Sequence, residues 1–135
     1  EEPDEENYFH FCASLRIHGD HIPFDEISRT LGVLPTMMRR KGERKGPRSP
    51  EYTDDAWHFQ PDVAETEPLD AHLIEILNVV RPHAEYIRSL KLRFKVDIFC
   101  GYRSNCDHAG FEVAHSCLEL FTVLEIPFGV SVIIA

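Results

Sequence analysis

With 135 residues, 43% of them hydrophobic, the chain is sized for a single core, and no apolar run approaches the roughly 18 residues of a membrane span. Its formal net charge of -9 is unevenly spread: residues 1–6 hold five carboxylates, while residues 36–50 hold Arg39, Arg40, Lys41, Arg44, Lys45 and Arg48 against Glu43. An acidic body with one basic loop repels polyphosphate at long range, which argues against general nucleic-acid binding and allows a basic protein partner.

At the amino terminus, EEPDEE has neither the positive charge nor the apolar run of a secretion signal. Residues 1–7 are read as an acidic, disordered tail before one α+β domain over 8–135. The cysteines, Cys12, Cys100, Cys106 and Cys117, are too dispersed to form a disulfide scaffold, so reduced thiols in a cytoplasmic protein are expected.

From Tyr8 to Ile17 the chain alternates, with Phe9, Phe11, Ala13, Leu15 and Ile17 on one face and Tyr8, His10, Cys12, Ser14 and Arg16 on the other. That pattern makes a half-buried first strand. His18-Gly19-Asp20 supplies a turn, and Phe24, Ile27 and Leu31 fall on one face of a short helix that ends at Gly32, with Pro35 beyond. Asp25 and Glu26 lie in its first turn, where carboxylates suit the helix dipole. After the basic loop, Trp57 and Phe59 flank His58 in a second strand.

A long helical stripe runs from Leu69 through Leu73, Leu77 and Val80 to Leu90. Pro82 must kink or break it, because proline lacks the donor and clashes with the preceding turn. Leu92, Phe94, Val96, Ile98, Cys100 and Tyr102 form the inner face of a third strand, opposite Lys95, Asp97 and Phe99. Val113, Cys117, Leu120 and Leu124 build a third helix, and the apolar run Phe128 to Ile134 suits a central strand with Val130 and Val132 buried. The two halves echo one another as strand, helix, strand. Two such halves with one polar sheet face predict a ferredoxin-like sandwich of about four strands with helices mainly on one face. The alternative is a three-layer α/β sheet in which the long helix covers the opposite face.

The stretches ASLRIHGDHI and DEISRTLGVLPT, the triplet Lys41-Gly42-Glu43, the lone Trp57, and the closing helix, Pro127 and apolar strand resemble a bacterial family known as domain of unknown function 4279. The resemblance covers about Phe9 to Ile134. It implies little about activity; some members are similar to genes set beside polymorphic toxins, where immunity proteins sit. Pro23 stands where the family commonly has an acidic helix-capping residue, so no ligand role for a carboxylate carries over there.

Candidate chemistry is sparse. Cys106, His108, His115 and Cys117 bring thiols and imidazoles close in sequence, but not at the spacing of common structural zinc sites, and Cys117 falls on the apolar helix face. No metal site, cofactor or catalytic set is assigned. The outward sheet face gathers His10, Cys12, Arg16, His58, Lys95, Asp97 and Phe99. The loop cations Arg39, Arg40, Lys41, Arg44 and Lys45 suit oxyanions or an acidic rim on a partner, because guanidinium groups bind carboxylates bidentately. The expected function is a non-catalytic protein-binding module of toxin-immunity or regulatory type, with Arg16, His10, His58 and the loop as its contacts. The alternative is a small-ligand or anion-binding protein, enzyme included. Changing Arg39, Arg40 and Lys41 together to Ala is expected to leave the fold intact.

Overall fold

A computed structural model describes residues 6–135. The chain runs β1 (Phe9–Gly19), α1 (Phe24–Leu31), β2 (Met37–Arg39), β3 (Asp55–Phe59), α2 (Leu69–Val80), a single 3-10 turn (Arg81–His83), α3 (Ala84–Leu90), β4 (Lys95–Ser104), α4 (His115–Leu124) and β5 (Ser131–Ile134). Of the expected acidic tail, residues 1–5 lie outside the described residues. Beside them, the Glu6 carbonyl accepts a hydrogen bond from Asn105.

The strands form one sheet in the order β2-β3-β1-β4-β5. β1 is its axis, antiparallel to β3 on one side and to β4 on the other. Only β4 and β5 are parallel, and they are joined through α4 as parallel strands require. The first half of the chain is different, because β1 and β3 are antiparallel neighbours. Five strands with this pairing are therefore seen in place of the expected four-strand ferredoxin-like sandwich of two equivalent halves.

Alternation along β1 holds from Ala13 to Ile17 but not at its start, where Phe9, expected on the covered face, is 43% exposed and Phe11 is half-buried. Ala13, Leu15 and Ile17 are fully buried, as are Trp57 on β3 and Leu73, Ile76, Leu77, Ile87, Leu120 and Leu124 on the helices. These residues join α1, through Ile27 and Leu31, in one core cluster. All four helices thus cover the same face of the sheet, which removes the three-layer alternative. Trp57 anchors α1 from below, its indole N–H donating to Ser28 Oγ at 3.2 Å.

Local signals acted as physics dictates. Gly32 closes α1 in the left-handed region, with φ 71°, and both its N–H and that of Val33 return to the Ser28 carbonyl, a cap that a Cβ would strain. The Leu69–Leu90 stripe breaks at Pro82 into α2 and α3 across the 3-10 turn. Leu92 departs from expectation, because β4 begins only at Lys95 and a turn before it leaves Leu92 88% exposed.

The closing run departs further. β5 is an edge strand, and Val132, Ile133 and Ile134 are 55%, 54% and 50% exposed. Among the described residues it pairs on one side only, with β4, and its side chains are exposed on both faces.

Candidate functional site

The register places side chains in rows across the uncovered face. One row reads Met37, His58, Arg16, Asp97, and the next Arg39, Ala56, His18, Lys95. Further along lie Ser14 beside Phe99, Cys12 beside Gly101 and His10 beside Arg103. His10, Cys12, Arg16, His18, His58, Asp97 and Phe99 are all half-buried. The expected sharing of this face by His10, Cys12, Arg16, His58, Lys95, Asp97 and Phe99 is what the register shows.

At its centre the side chains are paired with one another. Arg16 donates from Nε to Asp97 Oδ1 at 2.7 Å and from Nη2 to Oδ2 at 3.0 Å, a two-pronged pairing that fixes the guanidinium plane. The Arg16 guanidinium also lies 5.1 Å from the centre of the Phe99 ring, within cation–π range. In the next row the small Ala56 leaves room for groups from both sides to meet. Arg39 Nη2 donates to Asp54 Oδ1 at 2.8 Å, Asp54 Oδ2 lies 3.4 Å from His18 Nδ1, and His18 Nε2 lies 2.7 Å from His58 Nε2. Guanidinium, carboxylate, imidazole and imidazole form one chain.

Its electrostatics follow from that order. Burial alone would raise the Asp54 carboxyl, but the hydrogen bond from Arg39 and the charges of His18 and Arg39 outweigh it and hold the pKa below its ordinary value. For His58, burial and then the charges of His18, Arg16 and Arg39 act together, pushing its pKa down to about 4. His58 is therefore neutral at pH 7. Asp54 Oδ2 lies beside His18 Nδ1, and the tautomers of the two rings decide which Nε2 donates in the contact between them.

Towards the other end of the face, a cleft of about 280 Å³ opens among His10, Cys12, Glu65, Phe99, Arg103 and Ser131. Gly101 forms part of its floor; a Cβ there would lie 2.8 Å from Cys12 Sγ. His10 Nε2 is 3.7 Å from Glu65 Oε1.

The basic loop is tied down more than its composition suggests. Arg40 donates to Asp55 Oδ2 at 2.7 Å and to the Ile22 carbonyl at 2.9 Å, with its guanidinium 3.8 Å above the Phe24 ring. Asp55 is itself buried and accepts the N–H groups of Ile22 at 3.1 Å and Lys41 at 2.8 Å. Arg44 pairs with Glu51 at 3.1 Å, and Lys41 lies 3.8 Å from Asp20. Lys45 and Arg48 have no ion pair among the described residues. The expectation that Arg39, Arg40 and Lys41 can be changed together without harm to the fold is therefore corrected: Arg40 compensates the buried charge of Asp55.

The structure thus joins Arg16, Arg39, His58 and, at the far end, His10 on one face, and holds Arg40, Lys41, Arg44 and Lys45 apart from them. Sequence reasoning missed His18 and Asp54. His18 sat in an apparent turn, and only the strand's extension to Gly19 brings it onto the sheet. The four thiols are free. Burial, and then the nearby Cys12, pushes the Cys100 thiol up to about 12, and Cys117 is buried against Asp70. Among the described residues no three His, Cys, Asp or Glu side chains converge as a metal site, Cys106, His108, His115 and Cys117 included. None of the helices described is long and apolar enough to cross a membrane.

The class this defines is an α+β domain whose mostly antiparallel sheet is covered by helices on one side and open on the other. The chain matches the family described as Domain of unknown function (DUF4279) over residues 6–134, nearly its whole length, and belongs to that family. Neither a curated protein nor a solved structure matches it.

Proposed function

We propose that the domain is a non-catalytic binding module of toxin-immunity or regulatory type, which docks a basic protein surface on the open face of its sheet. The supporting observation is that this half-buried face is already ordered: Arg16, Asp97 and Phe99 hold one another, as do Arg39, Asp54, His18 and His58. Side chains fixed before contact lose little rotamer freedom on docking, and a guanidinium lying by an aromatic ring is a frequent binding hot spot. The acidity of the chain speeds approach of a basic partner at low salt. Nucleophilic catalysis needs a thiol or hydroxyl against an oriented base, whereas the central histidines face each other and Asp54. The immunity form of the reading rests on the family resemblance alone, which implies that some members are similar to genes set beside polymorphic toxins.

A second reading, small-ligand or anion binding, is favoured by the cleft around Cys12 and Arg103. One experiment separates the two. The immobilised domain is incubated at low salt with extract of its native host, alongside an Arg16→Ala, Phe99→Ala variant of unchanged melting temperature. A protein retained by the parent and lost by the variant supports docking on the face. Equal retention by both, or a stoichiometric small molecule with no protein, overturns it.

A further inference from the structure

Two imidazoles that face each other at the centre of the open sheet face are more than docking requires. We propose that His18 and His58 bind, through their Nε2 atoms, a divalent cation of the zinc, nickel and copper class. This goes beyond the docking reading and is independent of it.

The geometry is nearly that of a ligand pair. The two Nε2 atoms are 2.7 Å apart. Metal–nitrogen bonds of about 2.0 to 2.1 Å at a tetrahedral angle require about 3.3 Å between the nitrogens. Both histidines stand on paired strands, His18 on β1 and His58 on β3, so the difference would have to come from rotation of the two partly buried rings.

The far nitrogen of His18 has the partner that a metal-bound imidazole characteristically has. Its Nδ1 lies 3.4 Å from Asp54 Oδ2, and Asp54 is in turn held by Arg39 at 2.8 Å. A carboxylate in that position fixes the tautomer that leaves the Nε2 lone pair available towards His58. His58 is neutral at pH 7, so its Nε2 lone pair is free once its proton sits on Nδ1. The guanidinium charges of Arg16 and Arg39 oppose a cation here as they oppose a proton on His58, and Asp97 and Asp54 offset them only in part.

Completion of the coordination shell comes from outside this pair. Met37 is the cross-strand neighbour of His58 on the same face, and its thioether is a donor that suits the softer members of this metal class. Water or a group from a docked molecule takes the remaining positions, as at sites that keep an open position.

The test is calorimetric titration of zinc ions into the full chain at neutral pH. One equivalent is expected to bind, with His18→Gln and His58→Gln each lowering affinity about tenfold or more, and Asp54→Asn lowering it by about 10- to 100-fold through loss of the carboxylate that orients His18. The chain has eight histidines, so weak binding elsewhere is a real competitor. Affinity and stoichiometry unchanged in all three variants would overturn the proposal. Should a variant fail to fold, the parent protein still decides the matter by nuclear magnetic resonance. The ring signals of His18 and His58 are expected to respond together and saturate at one equivalent, and saturation of other histidines first would count against the site. None of these outcomes bears on whether a protein docks on the face.

Discussion

The two faces of β1 are built from the same strand on different principles. Inward, Ala13, Leu15 and Ile17 are fully buried beneath the helices. Outward, His10, Cys12, Arg16 and His18 are half-buried, and His10, Arg16 and His18 hold their places by pairing with neighbours on β3 and β4 or in adjoining loops. The inner face stabilises the fold through apolar area removed from water, and the outer face presents a prearranged set of charges whose pairs contribute little net stability. Stability is thereby placed on alternate residues of one strand, and the residues between them carry the proposed docking face.

The sharpest attack on that contrast compares adjacent residues. Leu15→Ala on the inner face is expected to cost about 2 to 5 kcal/mol in chemical denaturation, and Leu120→Ala, equally buried on α4, about the same. A loss below about 0.5 kcal/mol at Leu120 would remove α4 from the core.

Asp55 tests whether burial rather than polarity decides. It begins β3 at the rim of the sheet, is charged, and is nonetheless buried, with two backbone N–H groups and Arg40 on its carboxylate. Asp55→Ala leaves those N–H donors without their acceptor and is expected to cost about 1 to 3 kcal/mol. Burial raises the Asp55 pKa, but the bonds from Lys41, Arg40 and Ile22 outweigh it, so the folded-state value lies below the ordinary one. A depressed carboxyl contributes stability above its unfolded pKa of about 3.9 and loses it as pH falls through the folded value. Acid titration of the melting temperature is therefore expected to show a fall below about pH 4 that is smaller in Asp55→Asn.

Much of this division was legible from residue order alone. Period-two alternation marked the inner face of β1, helical spacing with Gly32 marked α1, and Pro82 marked the break between α2 and α3 because proline acts locally. What escaped depended on distant partners. Met37–Arg39 is too short to show a period, and becomes a strand only by pairing with β3. The chain through Asp54, His18 and His58 joins positions 36 and 40 residues apart, which no local spacing encodes. The order of strands was equally hidden. An apolar run such as Phe128–Ile134 reads the same at the centre of a sheet or at its edge, so the expectation of a buried Val132 had no means of telling them apart.

Between these extremes lies the outer face itself. Arg16→Ala removes a pair whose side chains are 32% and 25% exposed, so water already competes for both charges. The expected loss is about 0.2 to 1 kcal/mol, against a much larger loss of partner retention. A destabilisation as large as that of Leu15→Ala would show that the outer face is structural and that the two faces are not separate in role.

The smallest effect is expected at the edge. Val132 is 55% exposed on β5, so a charged residue there buries nothing and leaves the β4 pairing, which runs through backbone groups, in place. Val132→Lys is expected to change stability by no more than about 0.5 kcal/mol. The same change should reduce self-association at high concentration, because lysine on an exposed edge strand discourages edge-to-edge pairing. Val96, by contrast, lies buried on the inner face of β4, and Val96→Lys would force an unpaired charge into the core, at a cost of several kcal/mol. Thermal melts of the two lysine variants side by side read the position of β5 directly. Equal destabilisation would restore the closing strand to the centre of the sheet, and a large difference keeps it at the edge.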